Sequence, residues 1–138
     1  MFEIENIQIL DYVDTWEHAI RISCEPLLKK GYIEEKYVEK IIENIKKIGF
    51  YIVIDEYVAM PHARPEDGVK KMGVSFLKIN KGIMFGKQKV YLIFTLASID
   101  ASKHIDILQK IMNLLQDENM KNRLIECRDV NEIGGILI

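Results

Sequence analysis

The run Val90–Ala97, VYLIFTLA, constrains this chain most. It has strand length, carries no charge and is rich in β-branched and aromatic side chains. A strand sends alternate side chains to opposite faces, so a run that is apolar at both parities needs cover on both sides. The run is therefore expected to be a central strand of a sheet with a layer on each face. Three shorter strands are expected before it: Tyr51–Ile54, Tyr57–Met60 after the acidic pair Asp55-Glu56, and Gly73–Ile79, with Gly82 marking a turn after the last.

The layers come from helical patterns at both ends of the chain. In Thr15–Lys29 the residues Trp16, Ala19, Ile20, Ser23, Cys24, Leu27 and Leu28 recur at helical spacing. Asp14 or Thr15 can cap that helix, and Pro26, lacking an N–H, is expected to disturb its last turn. Glu34–Ile48 carries Tyr37, Val38, Ile41, Ile42, Ile45 and Ile48 on one stripe, and Gly49 stops it. Lys103–Gln116 is a third helix, capped by Asp100 or Ser102, and shorter helices are expected at Asn119–Cys127 and Asn131–Leu137. The economical packing of this order is a single α/β domain over residues 1–138, a β-sheet flanked by helices on both faces.

Composition excludes several classes. In 138 residues, 49% hydrophobic and 29% charged, the chain is globular rather than disordered. Nineteen Lys+Arg against 21 Asp+Glu give a net charge of −2, which argues against nucleic-acid binding by charge. No apolar run reaches the roughly 18–20 residues of a membrane span, and the acidic start is unlike a secretory signal. Cys24 and Cys127 are far apart in no metal-binding pattern and lie at apolar helical positions, so they are expected to be inert core thiols. A cytoplasmic location is the expectation.

Two of the three prolines, Pro61 and Pro65, bracket the segment Pro61-His62-Ala63-Arg64-Pro65. A strand runs into Pro61, which fixes its own φ and restricts Met60. His62 and Arg64 are two residues apart, so extended backbone aims imidazole and guanidinium to one side. That pair suits phosphoryl transfer. Neutral imidazole is a good nucleophile near pH 7, and a planar guanidinium matches the oxygens of the moving group. Taken alone, His62 also fits an ordinary loop histidine, and Arg64 a solvated cation.

His104 is placed in the first turn of its helix, on the inward stripe with Leu108, Ile111 and Leu115. It is near a helix N-terminus, where an anion is favoured, and it also fits a satisfied half-buried histidine. His18 reads as a surface residue. With three histidines, no HExxH and no thiolate cluster, metal binding is a poor third reading. Lys70-Lys71 near the loop reads as a solvated turn.

Val58-Ala-Met-Pro-His-Ala63 resembles the phosphorylation-site motif of EIIA domains of the mannitol/fructose type, from the bacterial phosphoenolpyruvate-dependent phosphotransferase system (PTS). Gly73-Val-Ser-Phe, Gly82-Ile-Met-Phe-Gly86, Val90–Ala97, Lys103-His104-Ile105 and Leu114-Leu-Gln-Asp117 follow in that family's order and spacing. The extension Pro61-His-Ala-Arg-Pro-Glu66 is most similar to the ascorbate-specific branch, since mannitol-type members tend to have Gly after the histidine. The chain departs from the common pattern at Asp55, where a small residue is usual, on the expected approach to the site.

The resemblance implies a mixed sheet flanked by helices and no metal or organic cofactor. It implies that His62 takes a phosphoryl group from phospho-HPr and passes it to a cysteine of the cognate EIIB. The membrane component EIIC would couple this to sugar entry, with no membrane insertion by this chain. It gives His104 the role of a second histidine that helps hold the phosphoryl group. Two other readings stand beside it: a regulatory EIIA-like protein of the nitrogen-branch kind, and a small-molecule binding domain without phosphorylation.

Overall fold

Val90–Ala97 lies at the centre of the sheet. In the computed structural model, which describes residues 2–100 and 105–138, it forms most of a strand that runs Gln88–Ala97. In chain order the described elements are β1 (Ile7–Leu10), α1 (Trp16–Lys29), α2 (Glu35–Ile48), β2 (Val53–Asp55), β3 (Tyr57–Ala59), β4 (Gly73–Phe85), β5 (Gln88–Ala97), α3 (Ile105–Gln116), α4 (Glu118–Glu126) and α5 (Val130–Leu137). The strands form one sheet in the order β1-β4-β5-β3-β2. β1 pairs parallel with β4, and β3 parallel with β5. β4 and β5 are antiparallel, as are β2 and β3. The sheet is therefore mixed and the fold α/β.

Both faces are covered. On one, Leu77, Ile79, Ile93 and Ala97 pack with Ile20, Cys24 and Leu27 of α1 and Val38, Ile41 and Ile42 of α2. On the other, Val74, Phe76, Leu92 and Phe94 pack with Ile107 and Ile111 of α3, Leu124 of α4 and Ile133 of α5. Leu77 and Phe76 are adjacent and face opposite layers, as the strand period requires.

Buried polar groups are matched across these layers. The Ser23 hydroxyl of α1 donates to Ile20 O at 2.8 Å, so the Thr95 hydroxyl of β5, 2.7 Å away, donates to it. Ser75 of β4 donates to Ser23 O. These three fully buried side chains join α1 to the two central strands. Pro26 does not end α1. It leaves the carbonyl of Ile22 without its helical donor, and the side-chain amide of Gln8 donates there at 2.8 Å. On the opposite face Lys78 is fully buried, and Nζ donates to Asn80 Oδ1 at 2.6 Å and Cys127 O at 2.8 Å. Burial lowers its pKa, and the Arg128 charge adds to that.

Several boundaries differ from expectation. β4 does not turn at Gly82. It passes through an irregularity in its pairing and continues to Phe85. Gly82 adopts φ 72° there, and a Cβ would meet Lys89 Cε at 2.9 Å. The chain reverses instead at Gly86-Lys87, between the paired residues Phe85 and Gln88. Gly86 has φ 64° while Lys87 has negative φ, as a two-residue II′ hairpin requires. The first two expected strands shorten to β2 and β3, and β1 had no counterpart in the sequence reading. α4 and α5 begin one residue early because Asp117 and Asp129 cap them: Oδ1 accepts from Asn119 N at 3.1 Å and from Asn131 N at 2.9 Å. The expected start of α3 at Lys103 and its capping by Ser102 lie outside the described residues.

Both cysteines are buried, Cys24 within α1 and Cys127 just past the end of α4. Burial pushes the Cys24 thiol up to about 12. At pH 8 its thiolate fraction is then on the order of 10⁻⁴, against roughly a quarter for an unperturbed thiol. Iodoacetamide is expected to leave Cys24 unmodified in the native protein at pH 8 and to alkylate it in denaturant, which peptide mass mapping reads directly. Rapid native labelling would mean that α1 opens from the sheet.

Candidate functional site

The site is built where the parallel pair β3 and β5 ends. Ligand sites of α/β sheets lie beyond such carboxyl ends. Past β3, Met60 N donates to Ile52 O at 2.7 Å. Pro61 has no N–H to offer, yet its carbonyl accepts from Leu96 N at 3.0 Å, so the chain stays beside β5 up to His62.

His62 is half-buried, with Nδ1 2.8 Å from Met60 O. A carbonyl only accepts, so this contact assigns the proton to Nδ1 and leaves the Nε2 lone pair free in the neutral ring. Nε2 has no hydrogen-bond partner among the described residues. The Tyr51 hydroxyl donates to His62 O at 2.8 Å, and the two rings meet edge-to-face at 5.6 Å and 81°. Ala63 N donates to the Tyr37 hydroxyl at 3.1 Å, and that hydroxyl donates to Leu96 O at 2.6 Å. Tyr37 is fully buried, and burial pushes its phenol well above the ordinary range. Burial also raises Tyr51.

Arg64 is exposed. Its N–H donates to Asp67 Oδ2 at 3.1 Å and its carbonyl accepts from Asp67 N at 2.9 Å, which closes the 3₁₀ turn Pro65–Asp67. Gly68 ends that turn at φ 131°, where a Cβ would meet Lys36 Cγ at 3.1 Å and Tyr37 Cβ at 3.3 Å. Its carbonyl accepts from Glu34 N at 2.9 Å, which fastens the turn to the start of α2.

His62 and Arg64 line one open groove of about 630 Å³ together with Lys40, Asn44, Ile48 and Tyr51. The structure thus brings these two residues to one surface, and the guanidinium makes no ion pair with the described residues. His62 also lines a smaller cleft of about 160 Å³ with Tyr37, Ala63, Pro65, Leu96, Ser98 and Asp100. An imidazole with an open ring nitrogen, a cation and open access are elements that phosphoryl transfer can use. The groove of about 450 Å³ between α3 and α4, lined by Asp106, Gln109, Lys110 and Asn113, offers no such nucleophile.

His104 lies outside the described residues. His18 is exposed and pairs with Asp14 at 2.8 Å, away from the site. Asp55 does not stand on the approach to His62. It sits at the β2–β3 turn, the opposite end of β3, and pairs with the nearly buried Lys121 of α4 at 3.3 Å. Lys70 pairs with Glu34, and Lys71 lies over the Tyr32 ring. Among the described residues no group of three or more His, Cys, Asp or Glu is placed to hold a metal. No helix among them is long and apolar enough to cross a membrane.

Sequence reasoning missed Tyr37 and Tyr51. Tyr37 was placed only on a helical stripe and Tyr51 only in a strand. One signal was available: a phenol on an otherwise aliphatic stripe must find a partner for its hydroxyl.

Known proteins resemble this chain in sequence and fold. The family model for the phosphoenolpyruvate-dependent sugar phosphotransferase system, EIIA 2, matches residues 1–138. The chain is 33% identical over 139 residues to the ascorbate-specific PTS system EIIA component of Escherichia coli K12, covering 98% of this chain and 90% of that protein. The solution structure of the mannitol-specific cryptic phosphotransferase enzyme IIA of Escherichia coli superposes with a TM-score of 0.91 at 31% identity, covering 99% of this chain and 94% of that one. Enzyme IIA of the mannitol system, solved in complex with phosphorylated enzyme IIB from Escherichia coli, gives 0.85 at 30% identity, covering 99% and 96%. The chain belongs to the EIIA type 2 family of the phosphoenolpyruvate-dependent sugar phosphotransferase system.

Proposed function

We propose that this chain is a cytoplasmic phosphoryl carrier whose one domain accepts a phosphoryl group on His62 and passes it on. The donor is the phosphohistidine of HPr and the acceptor a cysteine of the cognate EIIB. The sugar is ascorbate or a related compound, which the likeness to an ascorbate-specific component supports. The solved pair of a related enzyme IIA with phosphorylated enzyme IIB supports the EIIB partner.

The observation that carries the reading is the hydrogen bond from Nδ1 to Met60 O on the wall of an open groove. It makes Nε2 the attacking atom. The Nε2 lone pair forms a bond to phosphorus while the donor's N–P bond breaks, and that electron pair stays on the donor imidazole. Positive charge grows on the His62 ring as the bond forms, and the Met60 carbonyl stabilises it through Nδ1–H. In the second half the EIIB thiolate attacks phosphorus and Nε2 leaves as neutral imidazole. Arg64 supplies a cation for the phosphoryl oxygens, and the family resemblance gives His104 the role of a second histidine that helps hold them.

The test mixes the protein with phosphoenolpyruvate, enzyme I and HPr. An acid-labile, base-stable phosphoryl group on this chain is the expected result. Arg64→Ala is expected to slow its transfer roughly tenfold or more, as loss of a charge-stabilising donor does. No labelling, beside a control EIIA that labels in the same mix, rejects the carrier reading in favour of phosphorylation-independent binding.

A further inference from the structure

The two tyrosine contacts fall on one peptide unit. Tyr51 donates to the carbonyl of His62, and Tyr37 accepts from the N–H of Ala63. These are the two polar ends of the bond that joins His62 to Ala63. We infer that Tyr37 and Tyr51 are a pair of positioning residues that fix the peptide plane after His62 and so hold the chain that follows, Arg64 included, in register with Nε2 for the incoming phosphorus. The inference rests on the carrier role of His62.

The geometry explains why two phenols are needed. The bond from Nδ1 to Met60 O fixes the ring against the residue before Pro61. It leaves ψ of His62 free, and rotation about ψ swings the following chain, Arg64 included, relative to the ring. A donor on the carbonyl and an acceptor on the N–H remove that freedom from both sides. The two anchors have different rigidity. Tyr37 is fully buried, and its proton is committed to Leu96 O at 2.6 Å, while Ala63 O lies 3.5 Å away. It thereby ties the loop to the end of β5. Tyr51 is 37% exposed on the groove wall and adds an edge-to-face ring contact to the imidazole. The same tyrosine thus touches both the ring and the backbone of His62.

Tyr51→Phe keeps the ring contact and deletes the donor, and its exposure makes it the variant least able to disturb folding. Tyr37→Phe and the double variant complete a cycle. With phospho-HPr as donor, Tyr51→Phe is expected to lower kcat about tenfold and leave KM within about twofold, because alignment rather than docking is lost. Chemical phosphorylation by phosphoramidate, a small donor that approaches from many directions, is expected to stay within about twofold of wild type. The double variant is expected to cost little more than the worse single one, since either loss frees the same plane. Nitrogen-15 spectra of the unphosphorylated protein are expected to show His62 mostly Nδ1–H in wild type and variants alike, since the bond to Met60 O is untouched. Amide hydrogen exchange at Ala63 is expected to quicken in Tyr37→Phe and in the double variant.

Unchanged kcat in both single variants overturns the inference. So does a rise in KM alone, which assigns Tyr51 to docking, or an equal loss with phosphoramidate, which assigns it to imidazole reactivity. If wild type accepts no phosphoryl group, the carrier reading fails by itself, and exchange at the Ala63 amide still decides whether the hydroxyls hold the peptide.

Discussion

His62→Ala is expected to abolish acceptance of a phosphoryl group, with a loss of at least about 10⁴-fold in the rate of labelling by phospho-HPr, since removing a nucleophile removes the reaction path. The fold is expected to survive. His62 is half-buried in a loop, and the lost contact to Met60 O is one hydrogen bond, about 1 kcal/mol. Thermal unfolding of the variant should therefore shift by only a few degrees. Its backbone remains held at Pro61 O, at the carbonyl of residue 62 and at Ala63 N. A folded, inert variant assigns the chemistry to this imidazole. Acid-labile labelling that persists in His62→Ala places the acceptor on another nitrogen and overturns the assignment.

Phe94→Ala carries the largest expected loss of stability, about 3–5 kcal/mol, the usual cost of truncating a fully buried phenylalanine. Phe94 is fully buried in β5. Its ring meets Phe76 at 4.9 Å and Phe2 at 6.1 Å, within the layer that holds α3, α4 and α5 against the sheet. For a domain of this size the loss corresponds to a fall in Tm of roughly 10–20 °C. Calorimetry measures it directly. Phe94 faces the layer opposite α1 and α2, so His62 labelling of the folded variant at low temperature should remain close to wild type. A loss under about 1 kcal/mol would mean that this layer relaxes into the space and is not close-packed.

The candidate site was partly legible because its chemistry is local. Pro61, His62, Arg64 and Pro65 are neighbours in sequence, and an extended backbone alone puts His62 and Arg64 on one side. The structure places both on one groove. What holds them there is not local. Tyr51 reaches His62 across the β2–β3 turn, and Tyr37 reaches Ala63 from the first turn of α2. Nothing in the composition of either segment names that partner. Asp55 shows the opposite error. It is close to His62 in sequence, but β3 lies between them, and an extended strand carries its two ends apart.

The sequence by itself determined the local elements and the two-sided cover. The apolar run Val90–Ala97 demanded a layer on each face, and the helical stripes supplied them. Helix ends followed from caps within a few residues: Thr15 accepts from His18 N, and Gly49 stops α2 at φ 105°. Only the tertiary structure decided the strand order, the continuation of β4 past Gly82, and the existence of β1. Ile7 pairs with Phe76, and a four-residue strand has too little pattern of its own to be read without that partner. The fate of Pro26 was likewise settled from outside its helix, by Gln8 of that same strand. The physical reason is common to all of these. Caps and amphipathic stripes draw on neighbours within a turn or two, whereas sheet pairing and buried hydrogen bonds draw on residues that only folding brings within reach.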